Sequence, residues 1–195
     1  MGHTSLLNLL KDNPVIASVK DEAGLRRALT SRAGLIFILF GNVCNIASLV
    51  KRVHQAEKAA MVHVDLIEGL SGKEIVVDYL KNTAKVDGII SSKAAVLRAA
   101  KNKNLYTVHR FFLIDSLSFH SLPKQYATSQ ADIIEIMPGC LTPKVLKWVQ
   151  ELMKRPIIAS GLVCEKEDVV AALKAGAIAV STSSFEIWDT MIDSK

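Results

Sequence analysis

At 195 residues, half of them apolar, the chain is long enough for one domain with a full core and leaves little for a second. Charged residues make up 22%, no segment is polar and biased enough to read as disordered, and a net charge of +5 is too mild to decide a partner alone. Cys44, Cys140 and Cys164 lie far apart, which argues against a disulfide framework or a zinc site and fits a reducing cytoplasm.

The start of the chain shows no basic region followed by an apolar run and a small-residue cleavage site, so no secretion signal is expected. The longest purely apolar run, Leu35 to Phe40, has six residues, far too few to span a bilayer. The expectation is a cytoplasmic protein that makes no use of a membrane.

Short β-branched runs alternate with longer amphipathic stretches along the chain. The first dozen residues suit a short helix. The strand Val15–Val19 then ends in Lys20, with a helix over Ala23–Thr30. Leu35–Phe40 and Ala60–Val64 read as the second and third strands, separated by a helix over Ile46–Lys58 and followed by one over Lys73–Lys81. Gly88–Ser91, a helix over Ala94–Lys103 and Tyr106–Arg110 come next. The stretch Asp115 to Gln130, with Pro123 and several serines, is expected to be short or irregular. Asp132–Ile136, Pro143–Lys154, Ile157–Ala159, Lys166–Ala175 and Ala177–Val180 complete the alternation, before a short helix over Phe185–Met191.

Almost continuously apolar strands alternating with helices mean a parallel sheet covered by helices. Eight strands is the number that closes, and Lys20-Asp21-Glu22 stands where a dinucleotide fold has its glycine-rich loop. The reading is therefore a compact (β/α)8, TIM-type barrel of the α/β class, a single domain over residues 1–195, with the opening helix plugging its lower end.

Functional groups in such a barrel sit at the carboxyl ends of the strands. Alternation points Ile16, Ser18 and Lys20 inward from the first strand, Met61, His63 and Asp65 from the third, and Ala177, Ala179 and Ser181 from the eighth. Glu135 and Arg110 belong near the same mouth. The most specific signal is the pair of loops Ser160-Gly161 and Ser181-Thr182-Ser183-Ser184. Glycine lets the backbone approach an anion there, and hydroxyls and amides supply donors, which makes the corner a phosphate site. A plain helix cap is the alternative for that Ser/Thr run.

Asp65-Leu66-Ile67-Glu68-Gly69-Leu70-Ser71 carries two carboxylates that could bind a cation, move protons or accept from a polyol. Too few further oxygen ligands can be placed for a metal, so a hydroxyl-binding pocket is expected, with Asp65 otherwise paired to Lys20 or Arg110. His63 and His109 are read as hydrogen-bonded core residues, His54 and His120 as surface residues, and Trp148 and Trp188 as packing helices onto the barrel. From Lys81 to Lys103 six cations face a single acid, Asp87, which reads either as a solvated helix face or as a path for a phosphate backbone.

Several segments together resemble a known family. They are Asn13-Pro14-Val15-Ile16-Ala17, Lys20-Asp21, Phe40-Gly41-Asn42-Val43-Cys44-Asn45-Ile46 and Val62-His63-Val64-Asp65-Leu66-Ile67-Glu68-Gly69-Leu70. To these are added Asp87-Gly88-Ile89-Ile90-Ser91, Arg110-Phe111-Phe112-Leu113-Ile114-Asp115-Ser116 and Glu135-Ile136-Met137-Pro138-Gly139. From about Asn8 to Trp188 the chain resembles the glycerol uptake operon antiterminator regulatory proteins.

The resemblance implies a regulator without catalytic residues or cofactor, which senses glycerol 3-phosphate and binds a leader mRNA to prevent termination ahead of glycerol-utilisation genes. Its ligand residues are then Lys20, Asp65, Glu68, Arg110, Glu135, Gly139, Ser160, Gly161, Ser181 and Thr182, around a small phosphorylated polyol. Lys93, Arg98, Lys101 and Lys103 are the RNA contacts, and a homo-oligomer is compatible with this reading. The chain departs from the family pattern at Ser160, in place of a second glycine, at Asn42, in place of an aspartate, and over Cys140-Leu141-Thr142-Pro143.

The competing reading is a phosphate-handling TIM-barrel enzyme, an aldolase or isomerase, with Lys20 forming an imine and Asp65 or Glu135 moving protons. A third is a protein-binding regulator that keeps the pocket and turns its basic helices to an acidic partner. The barrel alone does not separate them.

Overall fold

The computed structural model describes residues 3–70, 72–141 and 143–191, so Met1, Gly2, Ser71 and Thr142 of the segments above lie outside the described residues. Eight strands follow in chain order: β1 Val15–Val19, β2 Leu35–Ile38, β3 Ala59–His63, β4 Gly88–Ser91, β5 Tyr106–Phe112, β6 Ile133–Met137, β7 Ile157–Ser160 and β8 Ala179–Thr182. Each pairs in parallel with the next. β8 returns to β1 through Val15↔Val180, Ile16↔Ser181 and Ala17↔Thr182, closing a (β/α)8 barrel. The helices are α1 His3–Asp12, α2 Glu22–Thr30, α3 Ile46–Gln55, α4 Ile75–Tyr79, α5 Ala94–Asn102, α6 Ser116–Ser129, α7 Pro143–Met153, α8 Lys166–Lys174 and α9 Phe185–Trp188. Among the described residues no helix is long and apolar enough to cross a membrane.

Strand alternation divides the buried side chains into two cores. Val15, Ala17, Val19, Val62 and Val64 pack outward against the helices, while Ile16 and Met61 join Phe37, Val108 and Ile158 inside the barrel. Leu6 and Leu10, four residues apart on one face of α1, enter the interior core beside Leu35, Tyr106 and Ile133. The opening helix therefore plugs the barrel as expected.

Two expectations about individual elements are overturned. β8 starts at Ala179, because Gly176 (φ +103°) ends α8 and the Ala177 amide still donates to the Ala172 carbonyl at 3.1 Å. Ala177 consequently packs with the helix-facing core, and Ile178 lies against the interior one. The segment Asp115 to Gln130 is not irregular. It contains α6, at 14 residues the longest helix among those described, opened by an Asp115–Ser118 capping box. The serines taken as breakers act as caps, with Ser121 and Ser129 hydroxyls donating to the Ser118 and Tyr126 carbonyls. Pro123 is exposed, so the carbonyl it leaves unpaired meets water.

The irregular unit is the third. The expected helix over Lys73–Lys81 is reduced to the five residues of α4, which run into a π-helical turn at Leu80–Ala84 that Lys85 ends in the left-handed region. The residues before it are taken up by a 3-10 turn at Val64–Leu66 and by the pairing of Glu68 with Asn42.

Leu10 is buried at 3% exposure among interior side chains that α1 alone covers from below. Leu10→Ala should lower the unfolding free energy by about 3 kcal/mol, read from the urea midpoint at unchanged slope.

Candidate ligand site at the barrel mouth

The inward residues of one layer near the strand ends form a polar ring: Ser18 from β1, His63 from β3, Arg110 from β5, Ser160 from β7 and Ser181 from β8. Above it opens a cavity of about 430 Å³, lined by Ser18, Lys20, Arg110, Ser160, Gly161 and the Ser181-Thr182-Ser183-Ser184 run, among others. The cavity thus brings together six of the ten expected ligand residues. Asp65, Glu68, Glu135 and Gly139 are outside its lining.

Each of those four has a definite place. Glu135 is fully buried beneath the mouth and grips Arg110, with Nε to Oε2 at 2.6 Å and Nη2 to Oε1 at 3.1 Å. β5 and β6 pair Arg110 with Glu135 directly, so the two side chains meet in the interior. Asp65 pairs with neither Lys20 nor Arg110. Its carboxylate accepts from the Ser91 hydroxyl and from the Ser92 amide and hydroxyl at 2.8–3.1 Å, with Lys93 Nζ at 3.7 Å. Burial pushes Asp65 up, and the donors of Ser92 and Ser91 outweigh it and hold the group below its ordinary value. Glu68 is exposed and its backbone joins the turn after β2, with Val43 N to Glu68 O at 2.9 Å. Gly139 supports the β7 loop: its amide donates to Gly161 O at 2.8 Å, and a side chain there would strike the Ser160 amide nitrogen at 2.7 Å.

The corner formed by the loops after β7 and β8 has a defined wiring. Gly161 lies at φ +77°, which keeps this turn open to glycine. Ser181 and Ser18 share a hydrogen bond of 2.5 Å between their hydroxyls. Thr182 is committed to the fold: its hydroxyl donates to Val163 O at 2.7 Å and accepts from the Ser184 amide, and its carbonyl takes the Trp188 indole N–H at 2.8 Å. Trp188 thus packs α9 onto the barrel as expected. Trp148 does not, standing 46% exposed on α7. Lys20 is exposed at the rim, with no ion-pair partner among the described residues.

His109 is a hydrogen-bonded core residue, with Nδ1 at 2.8 Å from Ser129 Oγ and Nε2 at 3.3 Å from Ser92 O. His63 is buried without a hydrogen-bond partner on either ring nitrogen, against the expectation. Its inward position was legible from alternation, but its lack of a partner has no sequence signal. Burial drives both imidazoles down to about 4, with Arg110 adding to the effect on His63 against the opposing pull of Glu135 and Asp65. Among the described residues no three His, Cys, Asp or Glu side chains gather to hold a metal ion.

The expected RNA contacts do not form one basic face. Lys101 binds Asp132 at 2.9 Å, Lys103 binds Asp78 at 2.7 Å, Arg98 lies 3.9 Å from Glu74 and Lys93 lies toward Asp65. The acids come from other parts of the chain, which a count along Lys81–Lys103 misses. Helix α5 also runs away from the mouth, so Lys93 and Lys103 lie at its opposite ends.

The model of one family, the glycerol-3-phosphate responsive antiterminators, matches residues 15–188. The chain belongs to that family. A relative in Escherichia coli (strain K12), the uncharacterised protein YgcP, is 50% identical over 183 residues, covering 94% of this chain and 95% of YgcP. The crystal structure of a glycerol uptake operon antiterminator regulatory protein from Listeria monocytogenes superposes with a TM-score of 0.88 at 27% identity, over 92% of this chain and 97% of the other. An antiterminator-related protein from Thermotoga maritima gives 0.80 at 30%, over 90% and 98%. Deoxyribose phosphate aldolase from Aeropyrum pernix, at 0.68 and 15% over 97% of each chain, shares the fold alone.

In this antiterminator-family barrel the departures from the family pattern have simple local readings. Asn42 Oδ1 accepts from the amides of Cys44 and Asn45, a role an aspartate would fill equally. Cys140 is exposed, and Ser160 adds a side chain to the ring around the cavity.

Glu135→Ala would strand a buried guanidinium, so a stability loss of about 3–5 kcal/mol is expected by urea unfolding, with a smaller loss for Glu135→Gln. Below about pH 6.5 the unfolded chain protonates His63 and His109, while the folded barrel does so only near pH 4. The unfolded state then binds more protons, so stability should be full above pH 6.5 and fall as the pH drops toward 4. Urea midpoints measured across that window should show the fall, and His109→Gln should flatten it.

Proposed function

We propose that this barrel is a ligand-gated RNA-binding regulator of the cytoplasm, in which glycerol 3-phosphate at the mouth controls binding to a leader mRNA and so prevents termination ahead of glycerol-utilisation genes. The observation that carries the ligand half is the charge of the cavity. Lys20 and Arg110 line it, and among its described lining residues there is no carboxylate. Glu135 already answers the charge of Arg110, so Lys20 is the lining cation without a counter-charge among the described residues. A small anion satisfies it and the ring of hydroxyls, whereas a neutral sugar would leave that charge unanswered. The volume of about 430 Å³ suits a ligand of this size.

The phosphate is placed against Gly161, Ser160 and the Ser183-Ser184 turn, with Lys20 closing over it and the hydroxyls of the ligand toward Arg110. Gating requires that the ligand bind the RNA-competent state more tightly than the other. The loops after β7 and β8 supply that difference, because they form the cavity wall, and Gly139 N to Gly161 O ties the turn after β6 to the first of them. The enzyme reading has less behind it. An imine on Lys20 needs a nearby proton carrier, yet Asp65 is held by Ser91 and Ser92, and Glu135 by Arg110.

Calorimetric titration should show glycerol 3-phosphate binding to the wild type and glycerol binding much less. Lys20→Ala should weaken the phosphate ligand on the order of ten-fold without unfolding the barrel, since the residue is exposed. An RNA gel shift unchanged by millimolar glycerol 3-phosphate would remove the gating, and an imine trapped on Lys20 by borohydride with a triose phosphate would replace the reading by an enzyme.

A further inference from the structure

The cations of α5 are largely neutralised by acids from neighbouring segments. Those of α6, of α7 and of the two residues after it are not. Lys124, Lys144, Lys147, Lys154 and Arg155 are all exposed, and none has an ion-pair partner among the described residues. Two lie over aromatic rings instead: Lys144 Nζ is 4.9 Å from the Trp148 ring centre, and the Arg155 guanidinium carbon is 5.3 Å from that of Tyr126.

Between these helices runs a groove of about 380 Å³, lined by Leu113, Phe119, His120, Val145 and Trp148 and capped at the mouth end by Ile114 and Asp115. Phe119 meets Trp148 edge-on, 6.5 Å between ring centres, which props the indole upright with nearly half its surface in water. The one carboxylate in the lining, Asp115, accepts the Ser118 amide as the cap of α6. Lys124, one turn beyond His120, flanks the α6 wall, and Lys144 flanks the α7 wall.

We propose that this α6–α7 groove takes an unpaired base of a single-stranded RNA, stacked on Trp148, with adjoining phosphates against Lys124 and Lys144. An exposed indole between unpartnered cations is the arrangement that single-stranded nucleic acid selects, because each base offers a flat face and each link a negative charge. An acidic peptide would use the cations, but it would leave the aromatic groove without a stacking partner. The position also fits control by the mouth. Leu113 in the groove donates its amide to the carbonyl of Met137 at 2.8 Å, and Met137 lines the ligand cavity. The groove floor just past β5 and the cavity wall at the end of β6 are joined by that bond.

This inference rests on the RNA-binding reading above, and the test separates the two. Trp188 is fully buried, so emission changes on adding RNA report Trp148. Titrating the full chain with a random-sequence single-stranded RNA of about 20 nucleotides, at low salt and with glycerol 3-phosphate present, should quench that emission. Trp148→Ala should weaken binding roughly ten-fold and Trp148→Phe much less, since an aromatic face remains. Lys124→Ala and Lys144→Ala should each lower the salt slope by about one, and Arg98→Ala should leave it unchanged. RNA binding by gel shift without quenching, and unaffected by Trp148→Ala, would overturn the groove assignment and leave the RNA reading standing. No binding to any RNA would overturn both. A Trp148→Ala variant that alters only the sedimentation coefficient would make the groove a contact between copies of this chain, and so overturn it too.

Discussion

The mouth of this barrel depends on one buried ion pair. Glu135 has no access to solvent, and a carboxylate there is tolerable only because the Arg110 guanidinium holds both of its oxygens. Such a pair adds little net stability compared with apolar packing, so its value lies in position. It fixes Arg110 at the floor of the cavity while its counter-charge stays below. The cavity floor therefore presents the guanidinium, and the carboxylate is engaged below it. Burial keeps His63 neutral and Arg110 adds to that effect, while Glu135 pulls the other way.

The architecture was legible because it depends on patterns that survive in any local window. Eight apolar runs at near-regular spacing specify strands, and the period of two sorts Val15 from Ile16 and Val62 from Met61 without knowledge of neighbours. That Gly161 and the serines after β8 share one corner of the cavity was legible for the same reason, since they lie within a few residues of their strand ends. What failed was information carried by distant parts of the chain. Three cations of the basic run, Arg98, Lys101 and Lys103, face Glu74, Asp132 and Asp78, and only folding brings these acids beside them. Asp65 was given to the wrong partners because the β4 turn, with two consecutive serines, lies closer than either cation.

The error over Asp115–Gln130 has a different origin. Serine and proline have low intrinsic helix propensity, but propensity is weak against capping and packing. Asp115 and Ser118 satisfy the first amides and carbonyls, and Leu122 and Ser129 face the barrel, leaving Pro123 on the solvent side. A long α6 places Phe119 and His120 opposite Trp148. An irregular loop there would not have formed a groove, so the misread segment is also the one that builds the strongest unexplained surface feature.

Two of the three departures from the family pattern, at Asn42 and at Ser160, have unequal consequences. At Asn42 the side chain acts only as an acceptor for two amides, and exchanging an amide for a carboxylate leaves that turn intact. At Ser160 the change reaches the cavity. Among the described residues no protein group hydrogen-bonds the Ser160 hydroxyl, which stands level with Ser181 across the β7–β8 pair. A glycine would let an anion rest directly on the backbone, whereas serine adds bulk and one donor. The corner in this chain thus offers hydroxyl donors and Lys20 more than close main-chain approach, while the glycine that remains, Gly161, keeps the turn that holds them.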